Sequence, residues 1–555
     1  MTTNVYDFII VGAGPSGSAL ASKLSKSRTQ PSVLLLEAGE DNDDVADRIA
    51  GERLTFWATN GTHLDYGYKT VPQTQIKGRE IPYARGKGLG GSTATNMGVW
   101  DYGSKAEFNE WARLVNDDIW KWEHSLERIK QLENYHNETP AKYEKYVKLE
   151  TDSHGKNGAI DVSLPSVWTP GLEDAFEALS KHGIPLNPDI NSDKCIGIGI
   201  PPATTFRGLR ITASSAYLYH KPANLTIKAN SPVHRVIFEG KKAVGVELVN
   251  RARYTILSAG SIDTPKILLL SGIGDPRHLE NHNIPIVLDQ PNIGSNLRDH
   301  FLVRMDAAIK PDVFPPPDTS AIQGAREKWL HDRSGPLAED IGNFAVGYLK
   351  LDIASFPEYT TLDQRTQLFL SQPDVPAYEL GFGVVPTPTL DCLKLATSTI
   401  LQHSQSSGSI SLKSADPNDS PNIDMNILAH PYDRRVMIES LRKTYDFLQN
   451  STFPVDGLLE GPKSNADDDL MEYIKNHITI SWHALGTVKM GIEGGKGACV
   501  SSDFHIIGLE NLRIADLSVC PVLPSNHTQS TAYLIGDIAA MKIIEDYKLD
   551  ADVFF

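Results

Sequence analysis

The sequence predicts an α/β fold with an α+β cap: a Rossmann-like dinucleotide-binding domain and a substrate-binding domain built on an antiparallel sheet with flanking helices. Three observations carry this expectation. A strand–glycine–helix–strand unit opens the chain, glycine-rich stretches recur far along it, and residues 311–480 alternate proline-rich turns with strand-like runs.

The opening unit is legible locally. Tyr6–Val11 (YDFIIV) is a short apolar run ended by glycine, the pattern of a buried parallel strand. GAGPSG follows, setting Gly12, Gly14 and Gly17 in G-x-G-x-x-G register around Pro15 and Ser16. Helical spacing over Ser18–Ser25 and a second apolar strand, Val33–Leu36, lead to Glu37 and Ala38. Gly12 allows the tight turn, Gly14 lets backbone N–H groups approach a pyrophosphate at the helix N-terminus, and Gly17 permits close helix–strand packing. Glu37, about twenty residues beyond the third glycine, is placed to accept hydrogen bonds from a ribose. A dinucleotide binds here, and this stretch alone leaves FAD and NAD both open.

Bulk properties narrow the class. The 555 residues are too many for one compact core, so two domains or one elaborated unit are expected. The 53 Lys and Arg against 69 Asp and Glu give a net charge of −16, which argues against nucleic acid or an anionic membrane as partner. The four cysteines have no CxxC spacing, so neither a disulfide framework nor a zinc site is expected. No charged n-region precedes the first apolar run and no run of 18 apolar residues occurs, so the expectation is a cytoplasmic protein without a membrane span.

Further motifs follow in order: RGKGLGGSTATN (Arg85–Asn96), SAGSIDTPKILLLSGIG (Ser258–Gly274), NIGSNLRDH (Asn292–His300), SWHALGTVKMG (Ser481–Gly491) and NLRIADLSVCP (Asn511–Pro521), then PSNHTQSTAY (Pro524–Tyr533). Together these resemble the glucose–methanol–choline (GMC) family of FAD-dependent oxidoreductases, over Tyr6 to about Ala540. The HTQ…YLIG stretch is most similar to the aryl-alcohol oxidase branch, and choline dehydrogenase-like members are near it. The cofactor the resemblance implies is FAD. Its contacts would include Arg85, Gly90, Gly91, Ser92, Asn96, Val233, Ala259, Asp516 and Thr528, beside the opening Gly12–Gly17 loop, Glu37 and Ala38. Some members hold the flavin covalently through a histidine just before the asparagine of the second motif. Thr95 stands there in this chain, so non-covalent FAD is expected. Read as residues alone, Val233 suits strand core and Asp516 suits a turn cap equally well. Two departures, Val488 in GTVKMG and Ser501 where an aspartate is frequent, touch packing rather than chemistry.

Oxidising an alcohol on a flavin requires a base for the hydroxyl proton while the α-hydrogen leaves as hydride. Histidine, with an unperturbed pKa of ~6.5, suits the base. The resemblance implies His483 as principal base and His527 as substrate-orienting partner and auxiliary base, with the reverse assignment open because paired histidines titrate as a unit. Thr531–Glu545 reads as a helix, which puts His527 near a helix N-terminus. The dipole there would favour a neutral ring. Asn526-His527-Thr528 also spells a glycosylation sequon, which the expected compartment would leave unused.

The activity implied is oxidation of a primary, aromatic or unsaturated alcohol, with O2 or another electron acceptor. The rival on the same fold is a lyase or cyclase retaining FAD structurally. The expected division places 1–160, 205–310 and 490–555 in the FAD-binding domain, and 161–204 and 311–489 in the substrate-binding domain. Trp57, Trp100, Phe344, Tyr378, Phe382 and Trp482 are candidates for an aromatic pocket.

Overall fold

Five strands from widely separated parts of the chain form one parallel sheet, in the order Leu225–Lys228, Val33–Leu36, Tyr6–Val11, Ala252–Leu257, Leu512–Ile514. The computed structural model describes residues 5–42, 61–137, 139–148, 151–248, 252–314, 324–338, 341–342, 344–387 and 392–550. The continuous apolar runs seen in the sequence have their cause here: Phe8–Ile10 and Val33–Leu36 are buried on both faces. Gly12 has φ +102°, and a Cβ added to it would lie 2.3 Å from the Ser258 carbonyl, so only glycine fits where the first strand turns. The helix Pro15–Ser25 then begins with proline in its first turn.

The C-terminal helix Gln529–Asp546 packs on that first helix. A Cβ on Gly536 would lie 2.3 Å from the Ser16 carbonyl, and Ser16 Oγ donates to the Ala532 carbonyl at 2.6 Å. The close approach sets the start of the last helix, just after His527, against the helix that follows the glycine turn.

A second, antiparallel sheet runs Phe344–Leu349, Tyr378–Pro386, Leu393–Leu401, Phe301–Ile309, Val455–Glu460, with Thr479–Ile480 also paired to Phe301–Ile309. The helix Pro431–Asn450 packs against it. Two expectations are corrected. Phe301–Ile309, assigned from sequence to the dinucleotide-binding unit, pairs along eight residues with Leu393–Leu401 and so belongs to the second sheet. The run SGSISLKS at 407–414, part of the 311–480 stretch expected to build the antiparallel sheet, instead contributes Gly408–Ser411 to a separate three-stranded sheet with Ser295–Leu297 and Asn422–Asp424. Alternation specifies a strand but not its partner, which is set by long-range packing. No described helix is long and apolar enough to cross a membrane, and among the described residues no cluster could hold a metal ion.

Candidate active site

A cleft of about 470 Å³ runs along the ends of the parallel strands, within the range of small-molecule sites. Of the residues singled out from sequence, Gly12, Gly14, Pro15, Ser16, Glu37, Ala38, Arg85, Gly91, Ser92, Val233, Ala259 and Asp516 line it. At Gly14 an added Cβ would meet no protein atom within 4 Å, so the glycine opens onto the cleft. It is also the N-cap of the first helix and offers no side chain to that helix's first amides. Those amides remain available to an anion, which suits a pyrophosphate.

The remaining candidates support the cleft from behind. Gly17 is packing: a Cβ there would meet the Gly12 carbonyl at 2.0 Å. Gly90 donates its N–H to the Ala13 carbonyl at 2.9 Å and Gly91 to the Gly88 carbonyl at 2.9 Å. The first bond staples the two glycine loops together and the second closes a turn within one of them, so both amides are spent on protein where the resemblance implied cofactor contacts, although Gly91 still lines the cleft. Asn96 is likewise committed to protein. Its Oδ1 accepts from Arg210 at 2.9 Å and Gly98 N–H at 3.0 Å, while Nδ2 donates to Gln529 at 2.7 Å. Thr528 is buried at the N-cap of the last helix without a side-chain cap bond. None of Gly17, Gly90, Asn96 and Thr528 lines the cleft.

Glu37 knits the two glycine loops, accepting from Ala13 N–H at 2.9 Å, Gly39 N–H at 2.9 Å and Gly88 N–H at 3.1 Å. Burial raises its pKa and the backbone donors pull back. Asp516 does serve as a turn cap, accepting from Ser518 N–H, Gly260 N–H and Thr264 Oγ1, and it still borders the cleft. Val233 lies just ahead of the strand Val236–Glu239 rather than inside one.

The cleft reaches Ala484 and Ala532 but not the histidine rings themselves. His483 and His527 stand edge to face, ring centroids 5.3 Å apart at 81°. They are brought together by different supports. The His483 backbone N–H donates to Asp299 Oδ1 at 2.9 Å, and the Tyr83 hydroxyl donates to the other oxygen of the same carboxylate. Burial lifts the Asp299 pKa to about 6. Arg85 donates to the Trp482 carbonyl, and Trp482 itself sits at φ +59°. This left-handed residue turns the chain just before His483. Gly486, at φ +82°, lets the Asn296 segment pass close behind.

His527 rests on carboxylates. Its backbone N–H donates to Asp101 Oδ1 at 2.8 Å, and its Nδ1 lies 2.8 Å from Asp101 Oδ2. Its Nε2 lies 3.6 Å from Oε1 of Glu379, an oxygen with no hydrogen-bond partner in the described structure. Burial alone would lower the pKa of this ring, but Asp101 and then Glu379 overcome it and lift it to about 9. The neutral ring expected from the helix N-terminus is therefore corrected. The position is as expected, but two carboxylates outweigh a half-charge dipole. His483 goes the other way: burial, then His300 and the charge on His527, hold it well below the usual histidine range. Glu379 is itself pushed up by burial, to about 7.

Sequence reasoning missed Asp101, Glu379, Asp299 and His300. The last two sit in NIGSNLRDH, a stretch quoted only as a motif, while Asp101 and Glu379 carry no local signal. Among the described residues, none of the aromatic candidates lines the cleft. Trp100, Tyr378 and Phe382 are core, and Trp57 lies outside the described residues. Asn526 is 1% exposed and donates to the Tyr102 carbonyl, which removes the sequon from the surface of the folded chain.

A dinucleotide cleft beside a histidine pair defines the class, a flavin-type oxidoreductase site. Comparison with known proteins names the family. Residues 6–302 and 404–536 match the N- and C-terminal family models described as GMC oxidoreductase, and the chain belongs to that family. A glucose methanol choline oxidoreductase of Aspergillus terreus is 29% identical over 97% of this chain and 92% of its own length. An oxygen-dependent choline dehydrogenase of Staphylococcus saprophyticus is 28% identical, covering 96% and 94%. The solved formate oxidase of Aspergillus oryzae superposes with a TM-score of 0.85 at 26% identity, over 99% of this chain and all of that one. GMC oxidoreductases are flavoproteins, and the cofactor of this chain is FAD. The open glycine turn, the uncapped helix N-terminus and the elongated lining fit that group.

Proposed function

We propose that the protein oxidises a primary alcohol, with aromatic and unsaturated alcohols the first candidates, to the aldehyde. The observation that carries the reading is a pair of touching histidines held in opposite electrostatic settings. His483, buried with His300 and the protonated His527 against its ring, is a free base at neutral pH and takes the hydroxyl proton. His527, against two carboxylates, keeps its proton and donates a hydrogen bond to the alcohol oxygen, fixing the carbinol for reaction. FAD, when bound, supplies the two-electron acceptor for the hydrogen leaving the carbinol carbon. Gly12–Ser16 would hold its pyrophosphate, Glu37 its ribose and Val233 its adenine. Thr95 offers no imidazole for a covalent link, so the flavin is held non-covalently.

The test is a panel of alcohols assayed for both peroxide release and dye reduction, with His483→Ala and His527→Ala beside the wild type. Activity should fall by about 10²–10⁴-fold in His483→Ala. A flavin that stays oxidised with every alcohol under anaerobic conditions would instead support a lyase or cyclase reading, and unchanged turnover in both variants would sink the histidine mechanism.

A further inference from the structure

Asp101 is 0% exposed and is held from every side. Asn191 clamps the two peptides around it, donating to the Trp100 carbonyl at 3.0 Å and accepting from Tyr102 N–H at 3.1 Å. Ser530, in the first turn of the last helix, donates to the Asp101 carbonyl at 2.5 Å. The two carboxylate oxygens are divided between tasks. Oδ1 takes the His527 backbone N–H, and Oδ2 takes His527 Nδ1 together with the Tyr348 hydroxyl. This two-point grip fixes both the position and the rotation of the imidazole. It commits Nδ1–H to Asp101 and leaves Nε2 as the ring nitrogen able to meet a ligand.

We propose that Asp101 is a positioning residue that, with Tyr348, holds His527 as a hydrogen-bond donor and so leaves the substrate proton to His483. The division of labour between the histidines, on which this inference rests from the reading above, is thereby set by a side chain that touches neither substrate nor cofactor cleft. A carboxylate alone against a neutral ring would make Nε2 a base, as in hydrolase triads. Here a second carboxyl, Glu379, stands on the Nε2 side at 3.6 Å, so both ring nitrogens face acceptors and the ring is suited to carrying both protons. The titratable groups facing this ring are Asp101, Glu379 from the strand Tyr378–Pro386, and His483, with His300 behind His483 and Tyr348 behind Asp101.

The experiment follows the His527 ring by ¹⁵N-histidine NMR in FAD-loaded protein, its signal assigned by its loss in His527→Gln, alongside the pH profile of kcat/KM. Asp101→Asn preserves shape and removes the charge; the His527 titration should move down by about 1–3 pH units. The alkaline limb of the activity profile should move with it. Tyr348→Phe removes the competing donor from Asp101 Oδ2 and should move the titration up. A merely structural role for Asp101 would leave the ring titration where it is in both variants, and that result overturns the proposal. The two variants shift in opposite directions, so misfolding of one does not decide the matter. Titrations that move as stated in a protein that oxidises no alcohol would overturn the substrate reading and leave the role of Asp101 standing.

Discussion

The Nδ1 atoms of His300 and His483 lie 2.9 Å apart, with the two rings nearly perpendicular at 86°. There is room between them for one proton. For His483 to take a substrate proton at Nε2, its Nδ1 must carry that shared hydrogen and His300 must accept it. Burial, then His403 and His527, hold His300 well below the usual histidine range, so it is a neutral ring with one nitrogen able to accept. His300→Phe removes the acceptor and frees His483 to adopt the unreactive tautomer. The expected outcome is a loss of about tenfold in kcat, the scale of one hydrogen bond, with flavin content unchanged. Full activity in this variant would show that the tautomer is fixed some other way.

Activity should have an alkaline limb near pH 9. His527 has its folded pKa raised from 6.5 to about 9, so its proton is present throughout the neutral range and is lost as pH rises through about 9. The same sign governs stability: the stabilisation from this pairing is full below about 6.5 and disappears as pH passes 9. A kcat/KM profile of wild type against His527→Asn checks it, because the variant has no ring to titrate and should lack that limb.

Two glycines of the opening turn, Gly12 and Gly14, should separate folding from cofactor binding. Gly12→Ala places a Cβ 2.3 Å from the Ser258 carbonyl at φ +102° and should prevent normal folding or flavin incorporation altogether. Gly14 has φ −73°, open to any residue, and no protein atom near its missing Cβ. Gly14→Ala should therefore leave the Tm of the apoprotein unchanged while weakening FAD retention. The flavin-to-protein absorbance ratio and thermal denaturation together test this, and a lowered apoprotein Tm in Gly14→Ala would contradict it.

Glu37→Gln should loosen FAD binding through the loops rather than only through the ribose. The substituted amide puts an NH2 group against one of the buried N–H donors of Ala13, Gly39 and Gly88, at a cost of about 1–3 kcal/mol. Equilibrium dialysis of FAD and the apoprotein Tm should both fall. A change in affinity with no change in Tm would place the effect on the ribose contact alone.

Acid or heat denaturation should release the flavin entirely into the supernatant, since Thr95 occupies the position of the linking histidine. Yellow colour retained in the washed pellet would contradict non-covalent binding.

The sequence by itself determined the opening unit, because it is written in short spacings, while the resemblance of its ordered motifs pointed to the FAD family and to the two histidines. Strand Tyr6–Val11, the glycine turn and Glu37 fall within forty residues, where periodicity and glycine placement act locally. His483 and His527 were reachable as members of ordered motifs. What only the tertiary structure decided is the state of those histidines. The partner that charges His527 lies 426 residues away in the chain, and the ring against His483 lies 183 residues away. The same holds for the sheet that claims Phe301–Ile309, whose strand signal says nothing of its neighbours. Local reasoning from a helix N-terminus gave a neutral His527. Folding brings two carboxylates to it in a water-poor setting, where a contact at 2.8 Å outweighs a dipole that falls off within one turn.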